Sequence, residues 1–209
     1  HWDSATGVLQ LKDIQIQGDI ILPNQKITIQ VEGFVQVKVS IYRADSAANQ
    51  SVSIVGVGDN AQLTVETAIR LSGNLTVQDL NMTLFGPISN GNGGMTDVLK
   101  LENSRVTTRS LSWMPDGGIV VTNSELAVES GGLNYLWTEK LSMDEDSVIR
   151  SDVPLKNYGK NEQGLDGIVA YLPAGYSVAK KAEYEGAADV PITIVDKEGN
   201  MAQSFVLQK

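Results

Sequence analysis

Three apolar columns constrain this chain more than any other feature. Runs beginning at Leu75, Leu99, Ile119 and Leu141 align with spacings of 24, 20 and 22 residues. Their first position reads Leu75, Leu99, Ile119, Leu141; their third reads Val77, Leu101, Val121, Met143; their eighth reads Met82, Val106, Leu126, Val148. The fifth position is polar and turn-forming: Asp79, Asn103, Asn123 and Glu145. A strand-turn-strand unit of about 20 to 25 residues cannot bury its apolar face alone, so it has to stack on its neighbours. Equivalent residues then lie above one another roughly 4.8 Å apart, which accounts for columns of like side chains. Asn and Asp at a corner can satisfy backbone groups of the turn and of the next coil. The pattern predicts an all-β solenoid. An antiparallel β-sandwich, which also consists of many short strands, is the alternative.

Outside these runs, apolar and polar residues alternate with period two, as in Ile14-Gln15-Ile16-Gln17 and Ile27-Thr28-Ile29-Gln30-Val31, the mark of half-buried strands. Breaks fall at Pro23-Asn24, Gly58-Asp59-Asn60, Gly86-Pro87, the glycine-rich run 90–94, Pro115-Asp116-Gly117-Gly118, Gly131-Gly132 and Pro173-Ala174-Gly175. Looser copies of the repeat are expected near Ile27 and Val52 upstream, and near Ile168 and Ile192 downstream. One elongated domain over 1–209 follows: an N-terminal cap and first coils over 1–50, regular coils over 51–172, and a C-terminal coil and cap over 173–209. Leu99, Leu101, Val106, Ile119, Val121 and Leu126 are the predicted core. Because an open solenoid end exposes strand edges, the C-terminal run from Ile192 to Leu207, with its turn at Asp196-Lys197-Glu198-Gly199-Asn200, is expected to close that end as a hairpin or last coil.

The stretches NLTVQDLNMT at 74–83 and GIVVTNSELAV at 118–128, the run 97–107, and GDIILP at 18–23 resemble the pectate-lyase-like superfamily. More narrowly, they are similar to coils of bacterial cell-surface proteins. The resemblance implies a right-handed parallel β-helix with irregular terminal caps, and an extracellular or cell-surface location. It also raises the alternative of a polysaccharide lyase or glycoside hydrolase, since enzymes on this fold place Asp, Arg or Lys on one exposed sheet.

Charge and composition narrow the functions. With 16 Lys and Arg against 25 Asp and Glu, the net charge of −9 repels phosphate backbones and anionic headgroups, and the basic residues are scattered. Nucleic acid is therefore not an expected partner. No stretch approaches the roughly 20 consecutive apolar residues of a membrane span, so membrane insertion by this chain is not expected either. The first residues do not read as a signal peptide, and export would make this a mature form or an excised domain. The chain has no Cys, and its one His is His1, which removes thiolate chemistry and any mechanism that needs an internal imidazole.

The chemistry-bearing candidates are few. Asp144, Glu145 and Asp146, with Asp152 nearby, could hold Ca²⁺ or serve as general acid and base on a glycosidic bond; a solvated acidic turn is the simpler account. Asp144 and Asp146 share a face by register, and Asp79 and Asp144 are the first carboxylates to test for catalysis. Arg105 falls beside Glu125 of the next coil, which predicts a cross-strand ion pair. Trp113, Tyr135, Trp137 and Tyr171 could stack on sugar rings if exposed, or fill the core if turned inward. The glycine-rich run lacks the Lys-Ser or Lys-Thr and the helix of a phosphate cradle. The function expected is a non-catalytic module presenting an extended surface to glycans or to host or cell-surface proteins, with no cofactor apart from that Ca²⁺.

Overall fold

The computed structural model describes residues 1–43, 50–90, 96–113, 117–129, 135–138, 140–157, 168–179 and 193–209. Most of the glycine-rich run, Pro115, Asp116, Gly131, Gly132 and Ile192 lie outside the described residues. The described chain is all-β and coils into a parallel β-helix with three faces. The first three coils each send one long strand across two faces: β2 (Val8–Ile16), β4 (Ile27–Val37) and β6 (Val52–Val65). In the next four coils a corner splits that strand into pairs: β8 (Leu75–Gln78) and β9 (Asn81–Leu84), β11 (Val98–Glu102) and β12 (Arg105–Thr108), β14 (Gly118–Thr122) and β15 (Glu125–Val128), β17 (Leu141–Met143) and β18 (Val148–Ser151). The third face is a seven-stranded sheet of β3 (Ile20–Leu22), β5 (Ser40–Arg43), β7 (Ala68–Leu71), β10 (Pro87–Asn90), β13 (Ser110–Trp113), β16 (Leu136–Thr138) and β19 (Leu155–Asn157). Among the described residues no helix is long and apolar enough to cross a membrane.

The register matches the repeat. Leu75, Leu99, Ile119 and Leu141 pair in one row, and Val77, Leu101, Val121 and Met143 in another. The copies at Ile27 and Val52 extend the first row upward. All six predicted core residues are fully buried. The eighth column departs in its last member: Leu126 pairs with Ile149, and Val148 pairs with Glu125 and is only half-buried. The cause is one extra residue in that corner, which Asp144, Glu145, Asp146 and Ser147 fill where Thr122, Asn123 and Ser124 suffice one coil earlier.

The corner between the first two faces is made by residues with left-handed backbone, where Asn and Asp are tolerated far better than branched side chains. Asp13, Asp79, Asn103 and Asn123 have φ of 42°, 52°, 47° and 45°. Glu145 does not join them, so the fifth column holds in three of its four members. Beside the Asn positions runs a second row that the sequence reading missed. The N–H groups of Leu80, Ser104 and Ser124 donate to the Oγ of Ser104, Ser124 and Ser147, at 3.2, 2.9 and 3.2 Å. Gly118 opens β14 with φ of +68°, and a Cβ there would lie 2.2 Å from the Lys140 carbonyl oxygen, so coil-on-coil stacking requires glycine at that point.

Downstream, no parallel coil is found at Ile168 among the described residues, and the copy expected at Ile192 begins outside them. Around Ile168 the chain makes β20 (Val169–Tyr171), which pairs antiparallel with β23 (Phe205–Gln208), and β23 in turn lies antiparallel on β18. A separate antiparallel pair joins β21 (Ser177–Ala179) to β22 (Thr193–Val195). Leu207, fully buried, sits against Ile149 and covers the end of the core column, the closure expected of the C-terminal run. At the other end, β1 (Trp2–Asp3) pairs antiparallel with the start of β2.

Candidate functional site

An open, shallow groove of about 500 Å³ runs along the first corner. It crosses successive coils, with Asp79, Asn103 and Asn123 on one wall, Asn81, Arg105 and Glu125 on the other, and Asp59 and Asp146 towards its ends. The first wall is a hydrogen-bonded ladder. Asn123 Nδ2 donates to Asn103 Oδ1 at 2.9 Å, and Asn103 Nδ2 to Asp79 Oδ1 at 3.0 Å. Gln78 Nε2 donates to the other Asp79 oxygen at 2.9 Å. On the second wall the expected ion pair is present, with Arg105 and Glu125 opposite in register at 3.0 Å. Arg150 reaches the same carboxylate at 3.3 Å, so Glu125 lies between two guanidinium groups.

The predicted metal residues diverge. Both Asp144 carboxylate oxygens accept the Asn123 N–H, at 3.1 and 2.9 Å, and Ser147 Oγ donates to one of them. Asp144 therefore takes the place that the Glu102 and Thr122 carbonyls hold in the preceding coils, where they accept the N–H groups of Asp79 and Asn103, while Glu145 and Asp146 are exposed and Asp146 points to the groove. Among the described residues no three Asp, Glu or His side chains gather as a metal ion would need. Nor do Asp79 and Asp144 approach each other: they stand three coils apart in one column, roughly 14 Å at the usual strand spacing. Paired glycosidase carboxyl groups stand about 5 to 9.5 Å apart.

Other carboxylates hold backbone as well. Asp13 accepts the Phe34 N–H at 3.1 Å, Asp19 the Ser40 N–H at 2.9 Å, and the buried Asp97 the Gly73 N–H at 3.1 Å. Each ties one coil to its neighbour where the backbone turns away from the strand ladder. The sequence signal for them was available: Asp19 and Asp97 immediately precede strands, and Asp13 breaks the alternation within β2, where the register shifts.

The aromatic candidates are also dispersed. Trp113 is fully buried, its indole N–H donating to the Asp97 carbonyl at 3.2 Å, so it is a core residue and cannot stack on a sugar. Trp137 faces outward from the seven-stranded sheet between two buried neighbours, and Tyr135 precedes it, half-buried. Tyr171, 57 % exposed, lies on β20, the last strand of the larger sheet, near Arg150 and Asp152. Tyr135 and Trp137 stay together; Tyr171 belongs to another surface. Comparison with known proteins brings no match: no family model, no curated protein and no solved structure is similar to this chain.

Proposed function

We propose that this domain is a non-catalytic module of a secreted or cell-surface bacterial protein, akin to pectate-lyase-like β-helices, that presents a stiff, extended surface for adhesion or carbohydrate recognition. The observation that carries this reading is where the carboxylates point. Asp13, Asp19, Asp97 and Asp144 accept backbone N–H groups, Asp79 accepts side-chain amides, and Glu125 is held by Arg105 and Arg150. A hydrolytic site needs acid and base converging on one bond; these six acids are instead distributed along the coils as fasteners. What remains outward is a regular polar surface, the corner groove and the Tyr135–Trp137 pair, suited to hydrogen bonding and stacking on sugars.

A glycan array probed with the soluble protein, once with Ca²⁺ and once with chelator, tests this. The expected result is selective binding that survives chelation, because the Asp144 carboxylate is already occupied by Asn123 and Ser147. Loss of binding under chelator would instead make the acidic turn a metal site. Release of shortened or unsaturated sugars during incubation would favour the lyase or hydrolase reading, and no binding at all would move the search to protein partners.

A further inference from the structure

The two ends of the solenoid are finished differently. One core column runs through Val35, Leu63, Met82, Val106, Leu126 and Ile149, all essentially inaccessible to solvent. Its lower end is closed by Leu207 of β23. Its upper end is Ile14, which pairs with Val35 yet is 44 % exposed. Among the described residues no strand lies above Ile14: β1 reaches only Val8 and Leu9, and His1 exchanges hydrogen bonds with Gln10 at 2.8 and 2.7 Å. The rest of β2 and all of β3 therefore have a strand neighbour on one side only among the described residues. On β3, Ile21 is 57 % exposed. Such an edge offers unpaired N–H and C=O groups beside apolar side chains and is a template for another strand.

The sequence of this edge is self-complementary. Residues 9–16 read Leu-Gln-Leu-Lys-Asp-Ile-Gln-Ile, so reversing the order returns the same pattern of apolar and polar positions with Lys against Asp. The midpoint coincides with the corner at Asp13, whose φ of 42° turns the chain from the first face to the second. A twofold axis through that corner lays the first-face half of β2 antiparallel to the second-face half in another copy. It sets Leu11 against Ile14, Gln10 against Gln15, and Lys12 against Asp13 of the second copy. The same axis crosses the third face near the middle of β3, where Ile20 meets Leu22 and Ile21 meets its own equivalent. We propose that two copies of this chain associate head to head through this end, continuing the β-sheets across a twofold axis, covering Ile14 at the end of the core column and setting Ile21, which faces out of β3, beside its own equivalent. The short β1 swings off Leu9 and Gln10 as they do so. This inference is independent of the functional reading above.

Sedimentation velocity of the full chain over a wide concentration range tests it, with circular dichroism as the check on folding. Ile14 and Ile21 are exposed in the single chain, so Ile14→Lys and Ile21→Lys should leave the fold intact. Ile14→Lys should weaken dimerisation on the order of a hundredfold, since an ammonium would replace a side chain that the dimer desolvates, and Ile21→Lys should weaken it less, by setting two like charges opposite each other across the axis. Phe85→Lys, at a side-chain position 48 % exposed and away from this end, should not. Because the chain has no cysteine, Ile21→Cys gives a second readout. Cross-strand pairing brings the two thiols within disulfide reach, and mild oxidation should link the copies, whereas Phe85→Cys should stay unlinked. A chain that stays monomeric at every concentration, or a dimer that survives both lysine substitutions, would overturn the proposal.

Discussion

Ser124 shows how one residue is built into this architecture. Its Oγ accepts the Ser104 N–H from one coil and donates to the Thr122 carbonyl at 2.7 Å in its own, so a single hydroxyl closes two backbone groups at a buried corner. Ser124→Ala leaves the Ser104 N–H buried without its acceptor, and an orphaned buried donor costs about 1–3 kcal/mol. Thermal unfolding should show that loss; an unchanged midpoint would mean that the ladder contributes nothing. The aromatic residues separate by the same reasoning. Trp113→Ala, in the core, should cost about 3–5 kcal/mol of stability. Trp137→Ala, at a half-buried position on the outer face, should cost less stability than Trp113→Ala and weaken glycan binding, measured on whichever sugar the array selects. Trp113 and Trp137 look alike in the sequence, because both stand in alternating runs whose facing depends on where the strand begins; only pairing with the neighbouring coils decides which one turns inward.

Among the elements, the C-terminal strand β23 depends on a small acidic turn. Asp196 accepts the N–H groups of Glu198 and Asn200 at 3.0 and 2.8 Å, and Asn200 Nδ2 at 2.8 Å. The Asn200 side chain, more than any other contact, holds the Asp196 carboxyl below the ordinary carboxylate range, against an opposing desolvation effect and with the backbone N–H groups of Asn200, Glu198 and Gly199 adding to the lowering. A carboxyl depressed in the folded state stabilises that state fully above its unfolded pKa, and the contribution is lost as pH falls through the lower folded pKa. The turn should therefore hold at neutral pH and loosen only under acid. Hydrogen exchange at the Ala202 N–H, which is bonded to the Ile194 carbonyl, reports it. Asp196→Ala should bring fast exchange at neutral pH and abolish the acid step; an acid step of the same size in the variant would assign it to another group.

At the scale of the whole molecule, each coil is stabilised mainly by the coils above and below it, so damage in the middle should spread to neighbours before it reaches the ends. Leu101, fully buried between Val77 and Val121, is such a middle position. Leu101→Asp places an unpaired carboxylate in that stack, costs several kcal/mol, and should remove amide protection from the adjoining coils first. A variant as stable as the parent would refute the register. The repeat by itself determined the solenoid, its inward columns and the Arg105–Glu125 pairing, because parallel stacking places residues with the same position in successive coils side by side. The corner at Asp144 to Ser147 shows where that logic stops: one additional residue shifts Ile149 into the column in place of Val148, and spacing without coordinates does not reveal which residue a turn absorbs. Only the tertiary structure decided the direction of each carboxylate and aromatic ring, the antiparallel return of β23 and the open edge at Ile14. These depend on contacts between segments distant in sequence, whereas the columns depend on a period that the chain carries along its length.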